Sequence, residues 1–383
     1  MLAAAGWGRI AGMLRLRPRR AAVVAVLALV TAGCSTSGSD PAASGEGAPG
    51  TAPSGTATSS AAPGVTVPPG AAATTSATSP VPAARAGIGA RPSAGAGACT
   101  VFPADNVWHA DVSRLPVHAR SAAMVGAIGA GATVHADFGS GTWEGAPIGI
   151  PVTVVPAGQR RVPVTFGYAD ESDPGPYPIP PDAKVEGGPS GSGDRHVIVW
   201  DRSACRAYEL FDAHRSGAGW RAGSGAVFDL RSNRMRRAGW TSADAAGLSV
   251  LAGLVRYDEV AAGRIDHAIR VTVPRTRTGW TWPASHSASS ATDPSLPQLG
   301  QRLRLKRSVD LSGLPRQARI VAEAMRRHGL IVADHGSAWF ISGAPDPRWD
   351  NDALHALDRL RGSDFEVVDA AGLMADPASA TTR

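Results

Sequence analysis

Cysteine is scarce in this chain: three in 383 residues, at positions 34, 99 and 205. No CxxC pair exists, which excludes a zinc ribbon or a thioredoxin-type redox centre. HExxH, GxxxxGK[ST] and a strict GxSxG are also missing, so zincin, P-loop and standard serine-hydrolase chemistry are excluded. Lysine is nearly absent: only Lys184 and Lys306 accompany 36 arginines. No apolar run is long enough to cross a hydrocarbon core of about 30 Å.

The net charge of +6 is misleading. Residues 1–33 hold five arginines and no acid, so the remainder carries only +1. Nothing in that balance supports a basic nucleic-acid face, and no nucleic-acid partner is expected.

The first 33 residues read as a secretory signal. Arg15, Arg17, Arg19 and Arg20 form a basic region, and Ala21 to Val30 is apolar. Small residues then precede Cys34. Met13 opens a more compact version of the same signal. The Thr31-Ala32-Gly33-Cys34 boundary resembles a bacterial lipobox, with Thr31 where Leu or Val is usual. It implies acylation of Cys34 and a membrane partner through that lipid. The expected location is the outer face of the cytoplasmic membrane, or secreted.

Residues 34–98 are dominated by Ala, Gly, Ser, Thr and Pro, with four charges and no aromatic residue. Such a segment cannot bury a core and is expected to be a disordered tether. Composition changes at Cys99. All ten histidines and nine of ten tryptophans lie in 99–383, which reads as one extracytoplasmic domain.

That domain is strand-rich. Short runs such as "IGIPVTVVP", "HVIVWD", "RAYELFDA", "HAIRVTV", "QRLRLK" and "LIVAD" are bounded by Gly, Pro or Asp, and several alternate with period two. "QRLRLK" predicts Leu303 and Leu305 inward, with Arg302, Arg304 and Lys306 outward. Helices are expected over "LPRQARIVAEAMRRHG", over "DNDALHALDRLRG" with Asp350 as N-cap, and over "TSADAAGLSVL", where Thr241 and Asp244 stand at capping-box spacing. The expected fold is α+β, a predominantly antiparallel sheet core with a few covering helices.

With Cys34 lipidated, Cys99 and Cys205 remain. An exported domain with two cysteines pairs them, here tying the start of the domain to the turn "DRSAC". A catalytic thiol is the rival, but Cys205 has no flanking histidine.

The densest chemistry lies in "YADESDPGPYPIPPDAKVEGG", residues 168–188. Asp170, Glu171 and Asp173 are candidate acid/base groups, and Tyr168 and Tyr177 candidate flat sugar-binding surfaces. The same residues read equally as a turn-capped polyproline arm. Calcium ligation by these carboxylates is a weaker option, because Pro174 interrupts the EF-hand pattern; no other metal or cofactor is expected. Asp194 and His196 stand at a strand start in "GDRHVIVWD". Asp244 follows Trp240 in "GWTSADAAGL". In "RIDHAIRVTV", His267 is in phase with core residues, and Arg270 on the opposite face is the ligand candidate. His286 follows Trp282 in the loop "WPASHSASS". Trp-rich composition suits glycan binding, since indole faces meet the apolar faces of sugars; large cores also use tryptophan.

The runs "FPADNVW", "YADESDPGPYPIPP", "GDRHV", "GWTSADAAGL" and "ISGAPDPRW", spread over 99–370, resemble a family of exported bacterial proteins with no activity attached. "ADHGSAWF" departs from that pattern, which has Asn at position 335. The resemblance implies a single domain and assigns no catalytic residue. The expected function is polysaccharide processing in the cell envelope, by a hydrolase or lyase; the alternative is a non-catalytic wall-binding or structural lipoprotein. A binding protein predicts tryptophans on one exposed face and no convergent acids.

Overall fold

The computed structural model describes residues 99–383. The signal, Cys34 and the 34–98 tether lie outside the described residues. Among the described residues, no helix is long and apolar enough to cross a membrane.

The largest sheet has six strands in the order His135–Asp137, Phe340–Ser342, Ile269–Val273, Leu330–His335, Arg302–Leu305 and Phe365–Val367. A four-stranded sheet runs Ser224–Asp229, Arg206–Phe211, Val197–Asp201, Val152–Val155. A three-stranded sheet (Val164–Phe166, Gly219–Ala222, His214–Ser216) and a hairpin (Thr142–Trp143 with Ala146–Pro147) complete the β-structure. Seven of the eleven strand pairings are antiparallel. With helices such as Ser121–Ile128 and Arg316–Arg327 covering part of it, the domain is α+β.

Alternation in "HVIVWD" has an unexpected use. Ile198 and Trp200 join the main core, whereas Val197 and Val199 join a second core built with Tyr177, Ile179, Tyr208 and Trp220. The strand is buried on both faces, so both sets of alternating residues are apolar. Helix Arg316–Arg327 begins after Pro315, buries Ala318, Val321, Ala322 and Met325, and is followed by Gly329 at φ +74°. Asp350 caps Asn351–His355 by accepting from Ala353 N at 3.1 Å.

Two expectations are corrected. Arg302 and Arg304 are buried rather than outward, because the chain after Cys99 covers that face. Arg302 donates to Val107 O (2.6 Å), and Arg304 to Val112 O (2.6 Å) and Leu115 O (2.8 Å). The helix expected from Thr241 forms only at Val250–Gly253, with Ser249 as N-cap. Residues 241–249 are a loop locked by its own polar groups: Ser242 Oγ bonds Asp244 O and Leu248 O, and receives Asp244 N. Gly247, at φ +72°, leaves no room there for a side chain; a Cβ would sit 2.1 Å from Ser285 Oγ.

The disulfide forms as expected between Cys99 and Cys205. Cys205 sits in the turn joining Val197–Asp201 to Arg206–Phe211.

Candidate functional site

The loop 241–249 is the spine of a charged recess. Ala243 O accepts from His196 Nε2 at 3.0 Å. The Asp244 carboxylate accepts from Arg270 Nε (3.2 Å) and Nη2 (2.9 Å). Ala245 N donates to Asp334 at 3.1 Å, and Ala245 O accepts from His286 Nδ1 at 2.7 Å. One short segment thus orients His196, Arg270, Asp334 and His286.

The six-stranded sheet supplies the other wall. Four adjacent strands contribute Asp137, Ser342, Arg270 and Asp334. Arg270 Nη1 donates to Ser342 Oγ at 2.6 Å, and its Nη2 lies 3.9 Å from Asp334 Oδ2. A register shift makes this possible. Val271 pairs with Val332 but Thr272 with Asp334, so Ala333 is an extra residue. Without that bulge Asp334 would alternate onto the core face; with it, Asp334 shares the face of Arg270. Ala246 N occupies the bulge carbonyl, Ala333 O, at 2.9 Å.

The recess has a dry floor and a wet rim. Side-chain exposure is 0% for Asp244, 4% for Arg270 and 2% for His196, against 20% for Asp334 and 25% for Glu186. Asp194 is exposed. Glu186 Oε2 lies 2.5 Å from His196 Nδ1 and also accepts from His196 N. Among the described residues the carboxyls of Asp137 and Asp194 accept no protein hydrogen bond, in contrast to every other acid of the recess.

These contacts push the titrations apart. Burial disfavours a charged His196, but Glu186 outweighs it and lifts the imidazole to about 9. Burial acts to raise Glu186, yet His196 holds it below the usual carboxylate range. Asp334 is pushed up to about 8 by burial and by the nearby Asp244 charge, against the pull of Arg270. Desolvation by the surrounding recess raises Asp137, helped by Glu186, and raises Asp194 although its side chain reaches solvent at the rim; there His196 opposes the shift and Glu186 adds to it. The recess therefore holds a neutral carboxylic acid and ionised carboxylates side by side at neutral pH, the requirement for acid–base chemistry.

Of the residues predicted from sequence, Asp194, His196, Asp244 and Arg270 converge here. Glu171 and His286 sit alongside, 3.7 Å apart, with Glu171 also accepting from Thr241 N at 3.2 Å. Arg270 is corrected as a ligand contact: it is buried and its nitrogens are held by Asp244 and Ser342, so it is not free to meet a ligand. Asp244 is likewise no helix cap. Asp173 is committed to Arg236 Nη1 (2.5 Å) and Val227 N (2.8 Å), and so pins its loop rather than joining the recess. Asp170 is exposed, with no side-chain partner among the described residues. Tyr177 is 0% exposed and donates to Asp173 O, so it offers no face to a sugar; Tyr168 remains exposed at 45%. Trp240 lies under Arg236 and Arg237, and Trp282 packs on the core with its indole N–H on Ser379 O. The 168–188 stretch is therefore mainly a pinned arm that plugs the second core and delivers Glu186.

Sequence reasoning missed Asp137, Glu186 and Ser342, and gave Asp334 no role. A usable signal existed for two of them: "ADFG" and "ADHG" each place an Asp in the last two residues of a strand, two residues before a glycine. Comparison of the chain with protein-family models, with curated proteins and with solved structures yielded no match.

Proposed function

We propose that this chain is an exported, lipid-anchored envelope protein whose domain hydrolyses polysaccharide at the Asp137–Glu186–Asp194–Asp334 recess. The observation that carries the reading is the pair of unbonded carboxyls, Asp137 and Asp194, set at a solvent-reached rim beside a neutral Asp334. Both reach solvent and, among the described residues, are committed to no protein donor, so both are free to engage a substrate.

Asp334 supplies the proton that a departing glycosidic oxygen requires. Asp194 takes the proton of the attacking water, or attacks the sugar carbon itself. His196 holds Glu186 in place, and Arg270 orients Asp334 from the floor. Hydrolysis is favoured over a lyase reaction on a uronate: the recess has acids in excess of cations, and Arg270 is not free to meet a substrate carboxylate. An open rim lined by polar groups suits a chain polymer better than a small enclosed ligand. The wall-binding alternative needs tryptophans gathered on one exposed face, whereas Trp108, Trp200, Trp220, Trp339 and Trp349 are buried.

The test is incubation of the purified full chain with a panel of wall polysaccharides, with released fragments read by mass, beside Asp194→Asn and Asp334→Asn. Cleavage by the wild type that drops at least a hundredfold in both folded variants is the expected result. Binding without cleavage would overturn the hydrolase in favour of the wall-binding protein.

A further inference from the structure

We propose that Trp143 is the sugar-stacking platform of this recess, an inference that rests on the polysaccharide reading above. Trp143 is the most exposed large apolar side chain among the described residues, at 61%. It stands on a two-stranded hairpin, Thr142–Trp143 with Ala146–Pro147. Glu144 (φ +51°) and Gly145 (φ +83°) form the two-residue turn, both left-handed as a tight hairpin of this kind requires.

The pairing aims the indole. Trp143 is directly opposite Ala146, so the two side chains share one face of the ribbon. Ala146 is buried, and its Cβ lies against Gly188: a Cβ added to Gly188 would be 3.3 Å from it. Gly188 belongs to the loop that carries Glu186. That loop is clasped by Arg195, whose Nη1 donates to Gly188 O (3.2 Å), Pro189 O (3.2 Å) and Gly191 O (2.6 Å). Arg195 is itself flanked by Asp194 and His196. The face that presents Trp143 is thus the one turned toward the segments bearing Glu186 and Asp194. At its other end the hairpin follows the strand that ends in Asp137.

The hairpin base is fixed and its tip is open. Gly139 N bonds Ile148 O at 3.1 Å, and Asn351 Oδ1 accepts from Ser140 N at 2.9 Å. Side chains added at Gly141 or Gly145 would meet nothing within 4 Å. A rigidly rooted indole, exposed on the face turned toward the loop of Glu186, fits a pyranose ring: apolar C–H faces stack on the indole while hydroxyls extend toward the carboxylates. Lipid is a poor match, since the neighbours are Thr142, Glu144 and glycines.

The probes are chitohexaose, cellohexaose, amylose and solubilised peptidoglycan strands, measured by titration calorimetry and by cleavage with the full chain. Trp143→Ala should raise Kd and KM for the recognised probe roughly five- to tenfold, with kcat changed less than twofold. Trp143→Phe should recover most of that, and Trp280→Ala, at a second exposed tryptophan (40%), should change neither. Unaltered Kd and KM in Trp143→Ala would overturn the platform while leaving the recess chemistry standing. Binding that depends on Trp143 without any cleavage would keep the platform and overturn the hydrolase. Failure of the wild type to bind any probe would overturn both.

Discussion

Asp244 grips the guanidinium of Arg270 at two points, Nε at 3.2 Å and Nη2 at 2.9 Å, with both side chains at 4% exposure or less. The pair joins the loop 241–249 to the six-stranded sheet. Taking two charges out of water is costly, and the cost is recovered only while both are present. Asp244→Asn should therefore destabilise the fold by about 3–5 kcal/mol, because Arg270 is left without its main counter-charge. Asp244→Leu with Arg270→Met should be less destabilising than either single change. Urea titration checks this; a double variant worse than both singles would refute it.

Stability should fall as pH rises from about 5 to 9. Asp334, and Glu209 buried where it accepts from Ser249 Oγ (2.7 Å) and Val250 N (2.8 Å), have folded values pushed up by burial, to about 8 and about 7, from 3.8 and 4.5. Each keeps in the folded state a proton that the unfolded chain releases earlier, so stability is lost as pH rises through that interval. His196, lifted from 6.5 to about 9, acts in the same direction: its contribution is complete below 6.5 and gone above 9. Against burial, Glu186 is held low by His196, and Glu259 by His267 (3.2 Å) and Arg256; both work oppositely and lose their contribution on acidification. Melting temperature against pH is the measurement, and Asp334→Asn should flatten the decline up to pH 8. Activity should also fall above about pH 8, where Asp334 surrenders its proton.

Reduction of Cys99–Cys205 should lower stability. The bridge spans 106 residues, and removing such a native link costs about 2–5 kcal/mol. Cys99→Ser with Cys205→Ser should melt lower than the oxidised wild type and match the reduced protein. Equal melting temperatures with and without reductant would contradict it.

Cys34→Ala should move the protein from the membrane fraction to the soluble one. Two acyl chains hold a protein on a bilayer stably, whereas the domain shows no apolar helix able to do so among the described residues. Fractionation of cells carrying each form, with acyl labelling, gives the answer; retention of Cys34→Ala in membranes would reject the lipid anchor.

Much was legible in the amino-acid order because it depends on local physics. Short strand-forming runs bounded by Gly, Pro or Asp, several of them alternating, located the strands at 197–201, 206–211, 269–273, 302–305 and 330–335. Helical spacing with Pro315 and Gly329 bounded Arg316–Arg327. Cys99 and Cys205, the two cysteines left once Cys34 is set aside, predicted their own bridge. The elements that escaped notice, such as Thr142–Trp143 and His214–Ser216, are two or three residues long, too short for a period to show.

The recess was only half legible, and the reason is geometric. Asp194, His196, Asp244 and Arg270 drew attention through residue type and placement, but sequence alone assigned them no partners. Whether Arg270 meets a ligand or a buried Asp244 is decided by the crossing of a loop and a sheet 26 residues apart in the chain. Asp334 reaches the site through a bulge at Ala333, a one-residue slip that alternation counting cannot register. Asp173 and Tyr177 were attractive by the same local criteria, yet packing turned one onto Arg236 and the other into a core. Local pattern determined which segments are strands and helices; only long-range packing decided which charged side chains would be neutralised and which, like Asp137 and Asp194, would be left unbonded.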